Sequence, residues 1–338
     1  MLTKMNLPCQ LLNACACTYG INNQTKNYTP LASNVKVTGW ASGVPKVITG
    51  KSGEYYNAAL VGIIEKTYVT DTLAPAIVVA FQGTIGVTQP GGLKDWLSDF
   101  DATPVAFSQG MTGELVHKGI YDSVYSIFSD VVSAIETLQK ASSNKLPVFI
   151  TGHSKGGGMA IIASAILAKR FSIQAVYTFA APMVGNINFV SHYPSAINVQ
   201  RYENYLDIIP FLMPDDNFIH TLQNAAKLTN TNGKAELNVF IDFLLFVRHK
   251  HDALGYVPIG ILNYINANRT IEVINTKPYG PNPGAIDLAS KLACGIAGFV
   301  TVGNAHSHGW GEKQTLNKID YYMGYMGGVC NHMEAPGL

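Results

Sequence analysis

The residues with the most chemical content in this chain are Gly152-His153-Ser154-Lys155-Gly156, a Gly-x-Ser-x-Gly run. A buried-looking stretch, Leu146–Ile150, precedes it, and a helix-like stretch, Gly158–Lys169, follows. A serine on such a strand-to-helix turn has its hydroxyl lifted above the carboxyl edge of a sheet. The turn is tight enough to need small residues on both sides. Gly152, Gly156, Gly157 and Gly158 supply them. A serine hydroxyl is a weak nucleophile until a base takes its proton and a carboxylate holds that base in the right tautomer. The chemistry to look for is therefore acyl transfer, against the plainer alternative of a glycine-rich turn with no reactivity. Neither Gly-x-Gly-x-x-Gly nor Gly-x-x-x-x-Gly-Lys-Ser/Thr occurs, so the glycines do not read as a phosphate cradle.

The elements needed to position a base and an acid are legible around this turn. Ala76–Phe81 is an apolar run ending near Gly83, the pattern of a strand covered on both faces. From Val116 to Ala141, apolar residues recur every three or four positions, which predicts one long helix. Ala175–Ala180 and Ile197–Tyr202 read as further strands. This alternation predicts an α/β chain with a mostly parallel sheet and helices on both faces. In that architecture the acid and then the histidine follow the serine, each after a later strand. Glu203, Asp207, Asp215 and Asp216 qualify as acids by position. Asp207, followed by Ile-Ile-Pro, looks pinned against the core, and Glu203 reads as a strand-end charge. His192 precedes the acid and breaks the order, leaving His220, His249, His251, His306, His308 and His332. His306 is the chosen base and His308 its reserve, because Asn-Ala-His-Ser-His-Gly-Trp-Gly follows the apolar segment Leu292–Val302 and fits a late loop over the sheet edge.

Composition narrows the function further. The 338 residues carry 23 Lys and Arg against 22 Asp and Glu, a net charge of +1. No basic surface is available to neutralise phosphates, so a nucleic-acid partner is not expected. An apolar share of 47% with 32 Gly and 16 Pro predicts a folded, turn-rich chain. Five cysteines without a Cys-x-x-Cys pair read as free buried thiols. The first twenty residues, interrupted by Pro8, Gln10 and Asn13, read as an amphipathic helix and not as a signal peptide. No apolar window reaches the length of a membrane span. The expected location is cytoplasmic, or outside the cell by a route without a cleavable signal. Residues 22–54 look like an irregular lead-in with short strand-like pieces such as Val35–Gly39.

In order along the chain, AFQGT (80–84), KDWLSDF (94–100), GELVHKGIYDSV (113–124), ITGHSKGG (150–157), TFAAPMVGN (178–186) and RYENYLDIIPFLMP (201–214) resemble the successive motifs of the class-3 lipase family. The resemblance is dense over about residues 55–215 and thin elsewhere. It implies one α/β-hydrolase domain over 1–338, a mostly parallel central sheet, and hydrolysis of acylglycerols or related esters without a cofactor or metal. Carried over, it implies Ser154 as nucleophile, Asp207 in the Asn-x-x-Asp-x-Ile/Val-Pro motif as acid, and His306 as base. The oxyanion hole falls to the backbone N–H of Lys155 and the N–H and hydroxyl of Thr84. His153 matches the family pattern as a residue beneath the elbow, without a proton-transfer role. Two positions depart from the family: Gln82 stands where Arg is frequent, and Ala305 where an Asp often precedes the histidine.

Ile85–Lys94, with two adjacent glycines and a proline, makes a poor helical lid. Residues 215–252 read as a cap insertion. Their apolar stretch Leu237–Val247, with Phe243 and Phe246, could rest on a lipid surface through the basic Arg-His-Lys-His end; a buried core helix is the alternative. The pairs His249/His251 and His306/His308 raise a metal-dependent hydrolase, which lacks further ligands at metal spacing. The expected activity is that of a triacylglycerol lipase or esterase. Its rivals are a phospholipase A1, which includes an effector directed at membranes, and an idle hydrolase-fold module that binds lipid.

Overall fold

In the computed structural model, the residues described are 7–41, 44–53, 55–68, 73–84, 103–212, 216–228, 233–251, 256–275, 283–292, 296–310, 313–316 and 319–330. Helices α1 (Leu7–Thr18) and α2 (Ala32–Thr38) come first, then strands β1 (Lys46–Ser52), β2 (Tyr55–Tyr68), β3 (Leu73–Phe81), β4 (Pro104–Ala106) and β5 (Leu115–His117). Helices α3 (Lys118–Tyr125) and α4 (Phe128–Ala141) lead to β6 (Val148–His153), α5 (Lys155–Leu167), β7 (Ile173–Phe179), α6 (Ile187–Ser191) and β8 (Asn198–Asn204). Beyond a short 3-10 turn at Ile209–Phe211 lie α7 (Asp216–Leu228), α8 (Gly233–His251), β9 (Ile261–Ile265) and β10 (Ile271–Ile274). The chain closes with α9 (Ala285–Leu292), α10 (Ile296–His306), β11 (Lys313–Leu316), β12 (Ile319–Tyr322) and α11 (Tyr325–Val329).

Eight strands form one sheet in the order β1-β2-β3-β6-β7-β8-β9-β10. The pairings from β3 to β9 are parallel, and those of β1, β2 and β10 are antiparallel. Both faces of the centre are covered, as the apolar runs require. Along β3, Ile77, Val79 and Phe81 pack with α3, α4 and α5, while Ala76, Val78 and Ala80 pack with α1 and α11. A separate apolar cluster joins Ile208, Ile209, Phe211 and Leu212 to α7, α8, α9 and α10.

Several elements differ from the sequence expectation, each for a physical reason. The N-terminal helix α1 is not amphipathic, since every residue from Cys9 to Thr18 is buried. Its polar side chains find internal partners: Gln10 donates to the Lys66 carbonyl at 3.0 Å, and Thr18 to that of Cys15 at 2.6 Å. Val35–Gly39 is mostly helix α2, ended by Gly39 at φ 71°. The long helix over 116–141 is broken at Ser126 and Ile127 into α3 and α4. The break sits on Gly50 of β1, where a Cβ would lie 2.3 Å from the Ser126 carbonyl oxygen. Ile120, Val124, Ile127, Val131 and Ile135 stay buried across it, so the periodicity carries no trace of the kink. The cysteines are not all free thiols: Cys9 and Cys330 form a disulfide across 321 positions, while Cys15 and Cys17 are free and buried. No described helix is long and apolar enough to cross a membrane.

Candidate active site

At the carboxyl end of β6, Ser154 adopts φ 58°, ψ −131°, a region that side-chain-bearing residues rarely occupy. The turn leaves no space for larger neighbours. A Cβ on Gly152 would lie 2.0 Å from the Gly156 carbonyl oxygen, and one on Gly156 would lie 2.3 Å from that of Phe81. Ala180, just past β7, and Leu206, just before Asp207, also have positive φ, at 55° and 67°. Backbone strain is thus concentrated where three strands end at one edge.

These ends converge on a continuous line of hydrogen bonds. Ser154 Oγ is 3.1 Å from His306 Nε2, and His306 Nδ1 is 3.0 and 3.1 Å from the two carboxylate oxygens of Asp207. A carboxylate accepts only, so Nδ1 carries the proton and Nε2 is free to accept one from the serine. All three residues are buried: Ser154 is 1%, His306 3% and Asp207 0% exposed. Asp207 Oδ1 also accepts the Ile209 N–H at 3.0 Å, and Oδ2 accepts the Tyr325 hydroxyl at 2.7 Å. His306 does not lie in a loop; it is the last residue of α10.

The oxyanion candidates flank the serine. Lys155 opens α5, so its N–H lies at the positive end of the helix dipole. Thr84, partly buried, follows Gly83. A Cβ on Gly83 would lie 3.2 Å from Ser154 Cβ and 2.3 Å from the Tyr19 hydroxyl. The Lys155 side chain runs away from the serine and donates to Asn57 Oδ1 at 2.8 Å. Desolvation pulls its ammonium pKa down to about 8.

Other sequence candidates fall elsewhere. Glu203 is buried in an ion pair with Arg201. His308 stacks on Tyr19 with ring centroids 4.1 Å apart, and desolvation with the nearby His306 lowers its pKa to about 4. His192 faces Glu114 at 3.2 Å, and His220 is exposed on α7. His153 lies under the elbow. Its Nε2 donates to the His306 carbonyl at 2.8 Å, which leaves Nδ1 to accept from the Tyr19 hydroxyl at 2.8 Å. Burial, reinforced by His306 and His308, holds its pKa well below the usual imidazole range. Among the described residues, no three His, Cys, Asp or Glu side chains gather as a metal site. Ile85–Lys94, Lys94–Phe100, Asp215, Cys294 and His332 lie outside the described residues, as do the side chains of Asp216, Phe243, Phe246, His249 and His251.

The two departures from the family have local substitutes. Gln82 is buried, donating to the Thr18 carbonyl at 2.6 Å and accepting from Asn23 at 2.7 Å, which braces the end of β3 with the N-terminal segment. Beside Ala305, Asn204 Nδ2 holds the Ala305 and Met323 carbonyls, each at 2.7 Å. Arg269 Nη1 in turn donates to Asn204 Oδ1 at 2.6 Å. Asn204 is the first residue of the motif containing Asp207, so its position was visible in the sequence. Tyr19, Arg269 and Tyr325 gave no local signal.

The chain is similar to known lipases. The family described as Lipase (class 3) matches residues 78–217. A lipase of Rhizomucor miehei is 30% identical over 145 residues, covering 41% of this chain and 38% of the relative. A secreted mono- and diacylglycerol lipase of Fusarium solani is 29% identical over 151 residues, 43% of this chain and 41% of the relative. The matched stretches thus span about two fifths of these relatives. Among solved structures, the Rhizomucor miehei lipase–propeptide complex aligns with TM-score 0.59 at 18% identity, over 88% of this chain and 80% of that one. A lipase from Penicillium cyclopium aligns with TM-score 0.56 at 18% identity, over 82% and 88%. The architecture shared with these solved structures is the α/β-hydrolase fold, and over residues 78–217 the chain is similar to the class-3 lipase family.

Proposed function

We propose that this protein is a serine hydrolase that cleaves carboxylic esters of lipids through an acyl-enzyme. The observation that carries the reading is the unbroken relay from Ser154 Oγ through His306 to Asp207, with every step between 3.0 and 3.1 Å. His306 Nε2 takes the hydroxyl proton as Oγ attacks the ester carbonyl, and Asp207 stabilises the imidazolium. The tetrahedral oxyanion is held by the Lys155 N–H and by Thr84; losing one such donor typically costs about a hundredfold to a thousandfold in rate. The imidazolium then protonates the leaving alkoxide, and water activated by the same base releases the acid.

Acylglycerols are the substrate class that the name of the Fusarium relative, a mono- and diacylglycerol lipase, points to, while a chloroplastic phospholipase A1 of Arabidopsis thaliana is 27% identical over 97 residues. A panel of esters graded by acyl length and by glycerol or phosphoglycerol head group separates these. Acylglycerol turnover that disappears in Ser154→Ala supports the reading. Turnover confined to phospholipids transfers it to a phospholipase A1, and no turnover of any ester leaves a lipid-binding module.

The chain reads as one domain in which 215–252 caps the site. Helix α8 buries Leu237, Phe240, Ile241 and Leu244 against the small apolar cluster beside the acid and leaves Val239 61% exposed. One face is thus core and the other faces outward. The disulfide favours export over a cytoplasmic location, because such bonds persist in oxidising compartments.

A further inference from the structure

Asp207 is gripped from the far end of the chain. Tyr325, wholly buried at the start of α11, accepts the Asn204 N–H at 3.0 Å and donates its own hydroxyl to Asp207 Oδ2 at 2.7 Å. The same helix start holds the segment that leaves His306. The N–H groups of Gly324, Tyr325 and Met326 donate to the carbonyls of Trp310, Ser307 and Gly309 at 2.7, 2.9 and 3.1 Å. At its other end α11 runs into Cys330, which is bonded to Cys9 of the buried helix α1. Acid, base and the Cys9–Cys330 bridge therefore meet at one short helix.

We infer that Tyr325 is a positioning residue for Asp207, held in register by the Cys9–Cys330 tether, and that it sets how strongly the acid retains the charged form of His306. The inference rests on the hydrolase reading above. A hydroxyl donated to Oδ2 draws carboxylate charge away from His306 and fixes the carboxylate plane, so that both oxygens lie close to Nδ1. The phenol remains the donor across the working range, because burial and then the Asp207 charge push its pKa well above the usual tyrosine value. Other titratable or charged groups facing this cluster are His153 from β6, His308 and Tyr19 beside it, Glu203 on β8, and Arg269 from the turn between β9 and β10.

Tyr325→Phe tests this with little disturbance of packing, since the ring keeps its edge contacts with His153 and Phe179 at 5.8 and 6.4 Å. The expected result on a soluble short-chain ester is a roughly tenfold to hundredfold loss of kcat with KM unchanged. The acidic limb of the pH–rate profile moves to higher pH, because an undiluted carboxylate holds the imidazolium more tightly. A Cys9→Ala/Cys330→Ala variant loses kcat in the same sense, and adding Tyr325→Phe to it costs less than in the bridged protein. The inference is overturned if the wild type turns over ester while Tyr325→Phe keeps its acidic limb, whatever its melting temperature, or if the tether and tyrosine effects are simply additive. A wild type that hydrolyses no ester overturns the hydrolase reading instead.

Discussion

In the proposed mechanism Ser154 reacts because its neighbours hold it in a strained backbone conformation with its hydroxyl against His306. The motif around it was readable because each requirement is local: a serine with positive φ, flanked by glycines that nearly touch other backbone. Asp207 was readable for a similar reason, through the Ile-Ile-Pro that becomes the following 3-10 turn. Tyr19 and Tyr325 were not, because a hydrogen bond spanning more than a hundred positions leaves no spacing to detect. Lys155 makes a residue-scale prediction. In the unfolded chain its amine holds a proton to about pH 10.5, but in the fold only to about 8. Between those values the unfolded state binds more protons, so stability rises with pH across that window and is lower below it. Lys155→Met should therefore melt roughly a few degrees above the wild type at pH 7, with the gap closing toward pH 10 in a thermal-shift series. A gap that is constant with pH contradicts the assignment.

Among elements, β3, β6 and β7 were legible because a parallel strand covered on both faces is apolar throughout. The antiparallel edge strands β1 and β10 escaped for the opposite reason, since half-exposed edges mix polar and apolar residues and resemble loops. Helix α1 looked amphipathic because sequence shows a polar side chain but not its internal partner. The elbow also makes a prediction. Strand β3, strand β6 and helix α5 meet so closely that Gly156 has the Phe81 carbonyl where its Cβ would stand. Gly156→Ala must separate them, at a cost of about 1–3 kcal/mol for overpacking, and carries Ser154 with it. The expected outcome is a lowered melting temperature together with a loss of specific activity per folded molecule that exceeds the loss of folded protein. Unchanged activity per folded molecule would mean that the elbow tolerates displacement.

Over the whole molecule, the sheet gathers residues from positions 154, 207 and 306 at one edge, and the disulfide returns the C-terminal helix to the N-terminal one beside them. A bridge closing so long a loop restricts the unfolded chain by on the order of 5 kcal/mol in the chain-entropy model. Composition could not reveal it: five cysteines without a paired spacing fit free thiols equally well, and only the fold brings Cys9 to Cys330. The most direct test of the central claim is reaction with a fluorophosphonate, which phosphonylates a serine only when a base and an oxyanion hole activate it. One adduct per chain is expected, mapped by peptide mass spectrometry to Ser154, absent in Ser154→Ala and formed far more slowly in His306→Ala. An unlabelled wild type, or an adduct on any other residue, would contradict it.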